Sequence, residues 1–349
     1  MDEKGHTQYK IAEDGCLAYM TRLAMVIHSA LPRFSQIQSL KFDFSSILYG
    51  DNWEQDNADF FESMATAMRR SKLDKLDELH IWLPLAFDFG YFLDDKDETV
   101  YSTESLFKRL AYLDLNFQGS TDEREGLEFR SHQPNKENAK HVRQLLSLAP
   151  NVHTLWVEGE DLLLDRSAFS PSLRPKLLDL QNLSISATAL TEIVRRCNET
   201  LQKVVMRGVY LESGTWEEIL LAMSELPLLV DCFIETCDYG RESAHYRPSV
   251  EPSENSSSCN PTYDFFIETN RSSDVNALGD VLVRIHKNKC RLHGDSYSTP
   301  AGLEGEAQMK DSEPRARLLR AYVRKGYCIE GSESEESEDD LENELFAFE

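Results

Sequence analysis

The sequence lacks the features that would point to a catalyst, a membrane protein or a nucleic-acid-binding protein. It has no GxxxxGK[ST] phosphate-binding loop and no GxGxxG, GxSxG, HExxH or CxxC motif. No apolar run approaches the ~20 residues of a membrane helix, and residues 1–10 contain no apolar signal core. Positive charge is scarce, because 37 Lys and Arg face 61 Asp and Glu, a formal net charge of −24. These absences predict a non-catalytic protein that needs no cofactor and binds neither nucleic acid nor membranes.

Regular cysteine spacing is also missing. The seven cysteines form an odd number, at Cys16, Cys197, Cys232, Cys237, Cys259, Cys290 and Cys328. This usage favours a reduced intracellular protein, cytoplasmic or nuclear, whose cysteines fill the core. One alternative stays open. His286, Cys290 and His293 are spaced almost as in a zinc site, so the chain could be a metal-binding protein or an enzyme that uses this cluster.

The most informative feature that is present is a recurring phrase, apolar-x-x-apolar-x-apolar. Its last three copies, which begin at Leu180, Leu201 and Leu229, are 21 and 28 residues apart, a period typical of leucine-rich repeats. The second apolar positions of all copies are Leu40, Leu79, Leu113, Leu155, Leu183, Val204 and Cys232. One strand–helix unit cannot bury its apolar face alone, whereas stacked units can. We therefore expect an α/β fold, an open and irregular leucine-rich-repeat-like solenoid of strand–helix repeats.

The distribution of these patterns divides the chain into four parts. The solenoid is expected over residues 1–240, a flexible linker over 241–261, a C-terminal extension with helices that could cap the solenoid over 262–328, and a disordered acidic tail over 329–349. Helices are predicted at 14–31, 54–70, 138–148, 189–198, 273–288 and 315–325, and Thr215-x-x-Glu218 is a capping box that opens another. Asp88–Thr103 is predicted as an acidic loop and Gly119–Asn138 as a surface insertion.

The phrase also predicts a binding surface, because alternate side chains of a strand point to opposite faces. The residues that alternate with the last two apolar positions of each phrase are Lys41 and Asp43, His80 and Trp82, Asp114 and Asn116, Trp156 and Glu158, Ser184 and Ser186, Val205 and Arg207, and Phe233 and Glu235. Binding hot spots favour Trp and Arg, and aromatic rings on a solvated face are unusual. We expect a protein partner to contact Trp82, Asp114, Asn116, Trp156, Glu158 and Arg207, with the two carboxylates favouring basic partners. Alternatively, insertion loops fold over the rings and bury them.

Residues 146–159, 177–229 and 274–288 resemble fungal F-box-associated leucine-rich-repeat proteins, most specifically in the Gly214-Thr215-Trp216 turn that opens an amphipathic helix. The resemblance implies repeats that present a substrate and an F-box that binds the Skp-type adaptor of a cullin ubiquitin ligase. The chain departs from that pattern, since Leu31-Pro32 ends the first helix and no LPxE-like turn precedes it. We therefore expect the F-box itself to be missing. The chain is then a substrate-receptor-like scaffold or a decayed paralogue without a partner.

Overall fold

The computed structural model of the chain describes residues 13–34, 36–44, 53–93, 102–117, 135–240, 267, 269 and 271–293. The helices within these ranges are α1 Glu13–Ala30, α2 Trp53–Arg70, α3 Thr103–Phe107, α4 Asn135–Leu148, α5 Ala187–Arg196, α6 Trp216–Ser224 and α7 Ser272–His293. Short 3₁₀ helices span Leu31–Arg33, Ala86–Phe92 and Arg166–Ala168. The strands are β1 Ser39–Asp43, β2 Glu78–Trp82, β3 Tyr112–Phe117, β4 Thr154–Leu164, β5 Leu177–Ser186, β6 Lys203–Arg207, β7 Tyr210–Ser213, β8 Asp231–Glu235 and β9 Asp238–Tyr239.

The strands form one parallel sheet whose order follows the chain, β1-β2-β3-β4-β5-β6-β8. The short strand β7 pairs with the second half of β5, and β9 pairs with β7. Within the described ranges β1 and β8 lie at opposite ends of the sheet, so the sheet does not close into a barrel. The predicted α/β class and the predicted open arrangement are confirmed, and the sheet is parallel.

The recurring phrase folds as predicted because its apolar positions face the helices. Leu79 and Ile81 of β2, and their partners Leu113 and Leu115 of β3, are fully buried in one core that also contains Phe61 of α2. Each of the seven phrases coincides with one of the strands β1 to β6 and β8. The alternation of buried and half-buried side chains in β2 and β8 is the pattern of strands with one face against a core.

Residues with a left-handed backbone conformation end the first strand segment of three units that are neighbours in the sheet. Asn182 (φ +52°) divides β5, Gly208 (φ +56°) separates β6 from β7, and Thr236 (φ +48°) separates β8 from β9. The backbone therefore turns at the same point in each unit and adds a second short strand. Gly and Asn tolerate this conformation, whereas a β-branched threonine does so at a cost.

The predicted helix over 273–288 is present as α7, and Asp274 fixes its beginning. This carboxylate is fully buried and accepts hydrogen bonds from Tyr239 Oη (2.7 Å), Thr269 Oγ1 (2.7 Å) and the Glu217 N–H (2.9 Å). One side chain thus joins α7 to the start of α6 and to β9. Thr215 caps α6, as its capping box predicts, by accepting a hydrogen bond from the Glu218 N–H.

The remaining predictions for chain organisation have mixed outcomes. Asp88–Thr103 is not a loop throughout, because it overlaps the 3₁₀ helix Ala86–Phe92, in which Phe89 and Phe92 are buried. The predicted linker over 241–261, the helix over 315–325 and the acidic tail over 329–349 lie outside the described residues.

Candidate binding face of the sheet

The face of the sheet that points away from the helices carries two continuous rows of side chains, which we call the polar face. Strand register aligns the first row as Lys41, His80, Asp114, Trp156, Asp179, Val205 and Phe233. It aligns the second row as Asp43, Trp82, Asn116, Glu158, Gln181, Arg207 and Glu235. All six predicted contact residues belong to these rows. Their role in binding stays a prediction.

The prediction for β5 was wrong in register. Ser184 pairs with Tyr210 of β7, so Ser184 and Ser186 lie beyond the two rows, and Asp179 and Gln181 occupy the corresponding positions. Both are buried although they are polar. The polar face therefore carries a third central carboxylate that sequence reasoning missed.

Asp114 is the centre of a hydrogen-bond network at the β1 side of the polar face. Its Oδ2 accepts a hydrogen bond from Trp82 Nε1 (2.9 Å) and lies 2.9 Å from His80 Nδ1. His80 Nε2 lies 2.9 Å from Glu78 Oε1, so the imidazole bridges two carboxylates. Burial alone would lower the pKa of His80, but the hydrogen bonds and negative charges of Asp114 and Glu78 outweigh it and raise that pKa above its usual value.

Glu158 and Asp179 occupy the middle of the polar face. Glu158 accepts hydrogen bonds from Asn116 Nδ2 (2.8 Å) and Asn182 Nδ2 (3.0 Å), and Asp179 accepts one from Gln181 Nε2 (2.9 Å). Burial, with a contribution from the nearby negative charge of Glu158, raises the pKa of Asp179 to about 6. Carboxylates held in this state respond strongly to an approaching positive charge, because little water screens them.

Two aromatic rings of the polar face are covered by cations from the same chain. Lys41 Nζ lies 3.4 Å from the centroid of a Trp82 ring, and the Arg207 guanidinium lies 4.9 Å from that of Phe233. Arg207 Nε is also 3.5 Å from a Glu235 carboxylate oxygen. These contacts hold the two ends of the rows in defined positions.

Two buried polar atoms of the polar face lack a hydrogen-bond partner in the described part of the chain. They are Asp114 Oδ1 and Trp156 Nε1, which belong to neighbouring positions of one row. A native structure seldom leaves such atoms unpaired, so the two atoms make this part of the polar face a candidate functional site.

Among the cysteines whose burial the structure describes, three fit the prediction of core filling, whereas Cys290 is only half-buried. Cys197, Cys232 and Cys237 are free and buried. Burial raises the pKa of the Cys197 thiol to about 11 and that of Cys237 to about 12, so neither thiol is reactive at neutral pH.

The alternative metal cluster is present only in part. Cys290 Sγ lies 3.5 Å from His286 Nε2 on α7, whereas the side chain of His293 is outside the described residues. Among the side chains that the structure describes, no three His, Cys, Asp or Glu residues form a group that could hold a metal ion.

No protein-family model matches the chain, and no curated protein matches it either. Among the described helices, none is both long and apolar enough to cross a membrane.

Proposed function

We propose that the chain is a non-catalytic scaffold that binds a protein partner through the polar face of its sheet. The observation that carries this proposal is the register of seven parallel strands, which aligns aromatic, acidic and basic side chains in two rows. Interfaces are enriched in Trp and Arg, and Trp82, Trp156 and Arg207 lie within one stretch of this surface. The buried carboxylates between them favour a partner that is basic where it touches the face.

We also propose that the units stack as an irregular leucine-rich-repeat-like solenoid and that the chain acts as a substrate receptor in a cullin ubiquitin ligase system. The recurrent strand phrase and the left-handed residues Asn182, Gly208 and Thr236 support the repeat assignment. The ligase role rests on the resemblance to F-box-associated proteins. A Skp-type adaptor would then contact the region of α1, which exposes Met25 (67%) and Val26 (59%).

Affinity capture of the tagged full chain from its native cell, followed by mass spectrometry, tests both proposals. We compare the wild type with Trp156→Ala and with a control, Leu221→Ala, which changes an exposed residue of α6 on the helix side. Partners that are lost from Trp156→Ala but kept by Leu221→Ala support the scaffold. Recovery of a Skp-type adaptor and a cullin supports the ligase role. An empty capture contradicts both and favours a decayed paralogue.

A second candidate function is metal binding by His286, Cys290 and His293. The 3.5 Å contact between His286 and Cys290 on one face of α7 is the observation that favours it. Purified, untagged protein should then contain one equivalent of zinc that is lost on Cys290→Ser. Substoichiometric zinc, or zinc unchanged by that substitution, contradicts this candidate.

A further inference from the structure

The surroundings of Trp156 differ from those of the other aromatic residues of the polar face. Trp156 lies on β4 between Asp114 of β3 and Asp179 of β5, and the three residues are direct cross-strand neighbours. Since neighbouring strands are about 4.8 Å apart, a carboxylate flanks the indole on each side. Glu158, two residues along β4 in the second row, adds a third acidic group.

The two other aromatic rings of the polar face each lie under a cation of the same chain. Trp82 lies under the Lys41 ammonium and Phe233 lies under the Arg207 guanidinium. No cation from the described part of the chain lies over Trp156. The half-buried indole at the centre of the row is thus the aromatic residue for which this part of the chain supplies no cation.

The surroundings of Trp156 are also acidic, and on the β3 side the His80 imidazole contacts Oδ2 of Asp114 but not its Oδ1. Asp114 is 2% exposed and Asp179 is 7% exposed, and Oδ1 of Asp114 has no hydrogen-bond partner among the described residues. The positive charges of Arg207 and Lys203 reach Asp179 and partly offset the rise in its pKa, but neither cation lies over Trp156. The Lys203 ammonium forms an ion pair with Asp231 (3.1 Å), and the Arg207 guanidinium lies over Phe233. Negative charge in a poorly solvated site attracts a cation more strongly than the same charge in water.

We propose that Trp156, Asp114 and Asp179 form a recognition site for an arginine side chain of the partner protein, a proposal that rests on the scaffold function above. The guanidinium stacks on the indole while its N–H groups point towards the flanking carboxylates. Arginine fits this arrangement better than lysine, because its planar group stacks on an aromatic face and presents donors in several directions at once. The same site disfavours an acidic or neutral residue at that position of the partner.

Fluorine NMR of the full chain labelled with 5-fluorotryptophan tests this proposal directly. The four tryptophans give four resonances, which single Trp→Phe substitutions assign. The probe is N-acetyl-arginine amide, and the matched probe is N-acetyl-citrulline amide, which has the same shape without the charge. We expect the arginine compound to shift the Trp156 resonance saturably, with an affinity on the order of millimolar. The citrulline compound should leave the Trp156 resonance unchanged. Neither compound should shift the resonance of the fully buried Trp216.

Matched variants separate the site from the overall negative charge of the chain. Asp179→Asn should weaken arginine binding roughly three- to tenfold. Glu199→Gln, which removes one negative charge from an exposed position after α5, should leave binding unchanged. Equal shifts with both compounds, or equal weakening by both substitutions, contradict the proposal.

Two further outcomes concern the occupant and the scaffold function. If neutralising Arg315, Arg317 and Arg320 together to Gln moves the Trp156 resonance of the ligand-free chain, the occupant is the chain's own basic segment, which overturns the partner assignment. If the captured partners depend on Trp156 but the arginine compound does not bind, the arginine site is wrong and the scaffold stands. If arginine binds but no partner depends on the polar face, the scaffold is wrong.

Discussion

Asp179 belongs to the proposed binding site, but its buried charge lowers the stability of the folded chain at neutral pH. Its carboxyl group is buried, and its pKa of about 6 exceeds the ordinary value of 3.8. A proton therefore binds more tightly in the folded state than in the unfolded state. The contribution of this tighter proton binding to the free energy of unfolding is fully present below pH 3.8. It is lost as the pH rises from 3.8 to about 6 and stays lost at higher pH.

We predict that Asp179→Asn stabilises the chain at pH 7.5 by on the order of 2 kcal/mol, because the amide is never charged and still accepts a hydrogen bond from Gln181. The gain should shrink as the pH is lowered from about 6 towards 3.8. Urea unfolding of both proteins across this range measures it. A gain that does not depend on pH would mean that ionisation of Asp179 is not its cause.

Arg69 is the second residue whose burial has a clear cost. It is 7% exposed, its Nη2 donates to Thr66 Oγ1 (3.2 Å), and its Nε and Nη1 have no hydrogen-bond partner in the described residues. Together with Ser102, Thr103 and Phe107 it lines a small cavity beside α2.

We predict that Arg69→Met raises the free energy of unfolding by about 1–3 kcal/mol, because methionine fills a similar volume without a buried charge. Lys72→Met, at an exposed position just after α2, is the control and should change stability by less than about 0.5 kcal/mol. Denaturant midpoints compare the two. A destabilised Arg69→Met would indicate that the guanidinium makes a favourable interaction that outweighs its burial.

Among the secondary-structure elements, the left-handed turns that end the strand segments restrict which residues can be accommodated without strain. Asn182 and Gly208 suit this conformation, and a Cβ at Gly208 would also come within 2.6 Å of Asn182 Oδ1. Thr236 occupies the equivalent turn after β8 with an exposed, β-branched side chain.

We predict that Thr236→Asn stabilises the chain by about 1 kcal/mol, because a β-branched residue in a left-handed turn is strained and asparagine is not. Gly208→Ala should destabilise it by more than about 1 kcal/mol for the opposite reason. Thermal unfolding of both variants is the measurement. The repeat interpretation of these turns fails if the two substitutions change stability in the same direction.

The attachment of α7 depends on Asp274. Removing its carboxylate, which is fully buried, takes away the acceptor of three hydrogen bonds. We predict that Asp274→Ala destabilises α7 by at least about 3 kcal/mol, with selective loss of hydrogen-exchange protection over Ser272–His293. Asn276→Ala, at an exposed position of the same helix, is the control and should keep that protection. Uniform loss of protection across the sheet would contradict a local role for Asp274.

For the whole molecule, the sequence was sufficient to predict the class of the fold and most of the polar face. The apolar phrase recurs because each strand buries one side against the core, and that periodicity is visible without a structure. The register of β5 was not predictable in the same way. Leu178 and Leu180 match the last two apolar positions of the phrase as well as Leu183 and Ile185 do. The left-handed Asn182 between the two pairs breaks the alternation on which the prediction relied.

The hydrogen bonds of the site were beyond prediction for a related reason. They join residues far apart in the chain, such as Trp82 with Asp114 and Asn116 with Glu158, and form only once the strands lie in register. Asp179 could have been found by aligning Leu178 and Leu180 with Val204 and Met206, the positions that the strands pair. Helix caps such as Thr215 needed no such information, because they are local.

Contact between a partner protein and the polar face can be detected by site-specific photo-cross-linking. Benzoyl-phenylalanine replaces Phe233, a half-buried ring of the polar face, or, as the control, Leu221, which is exposed on the helix side. After irradiation in the native cell, we predict a covalent adduct with a discrete protein from position 233, lost when Asp179→Asn is added, and none from position 221. Adducts from position 221 alone, or from neither position, would mean that no partner lies against the polar face.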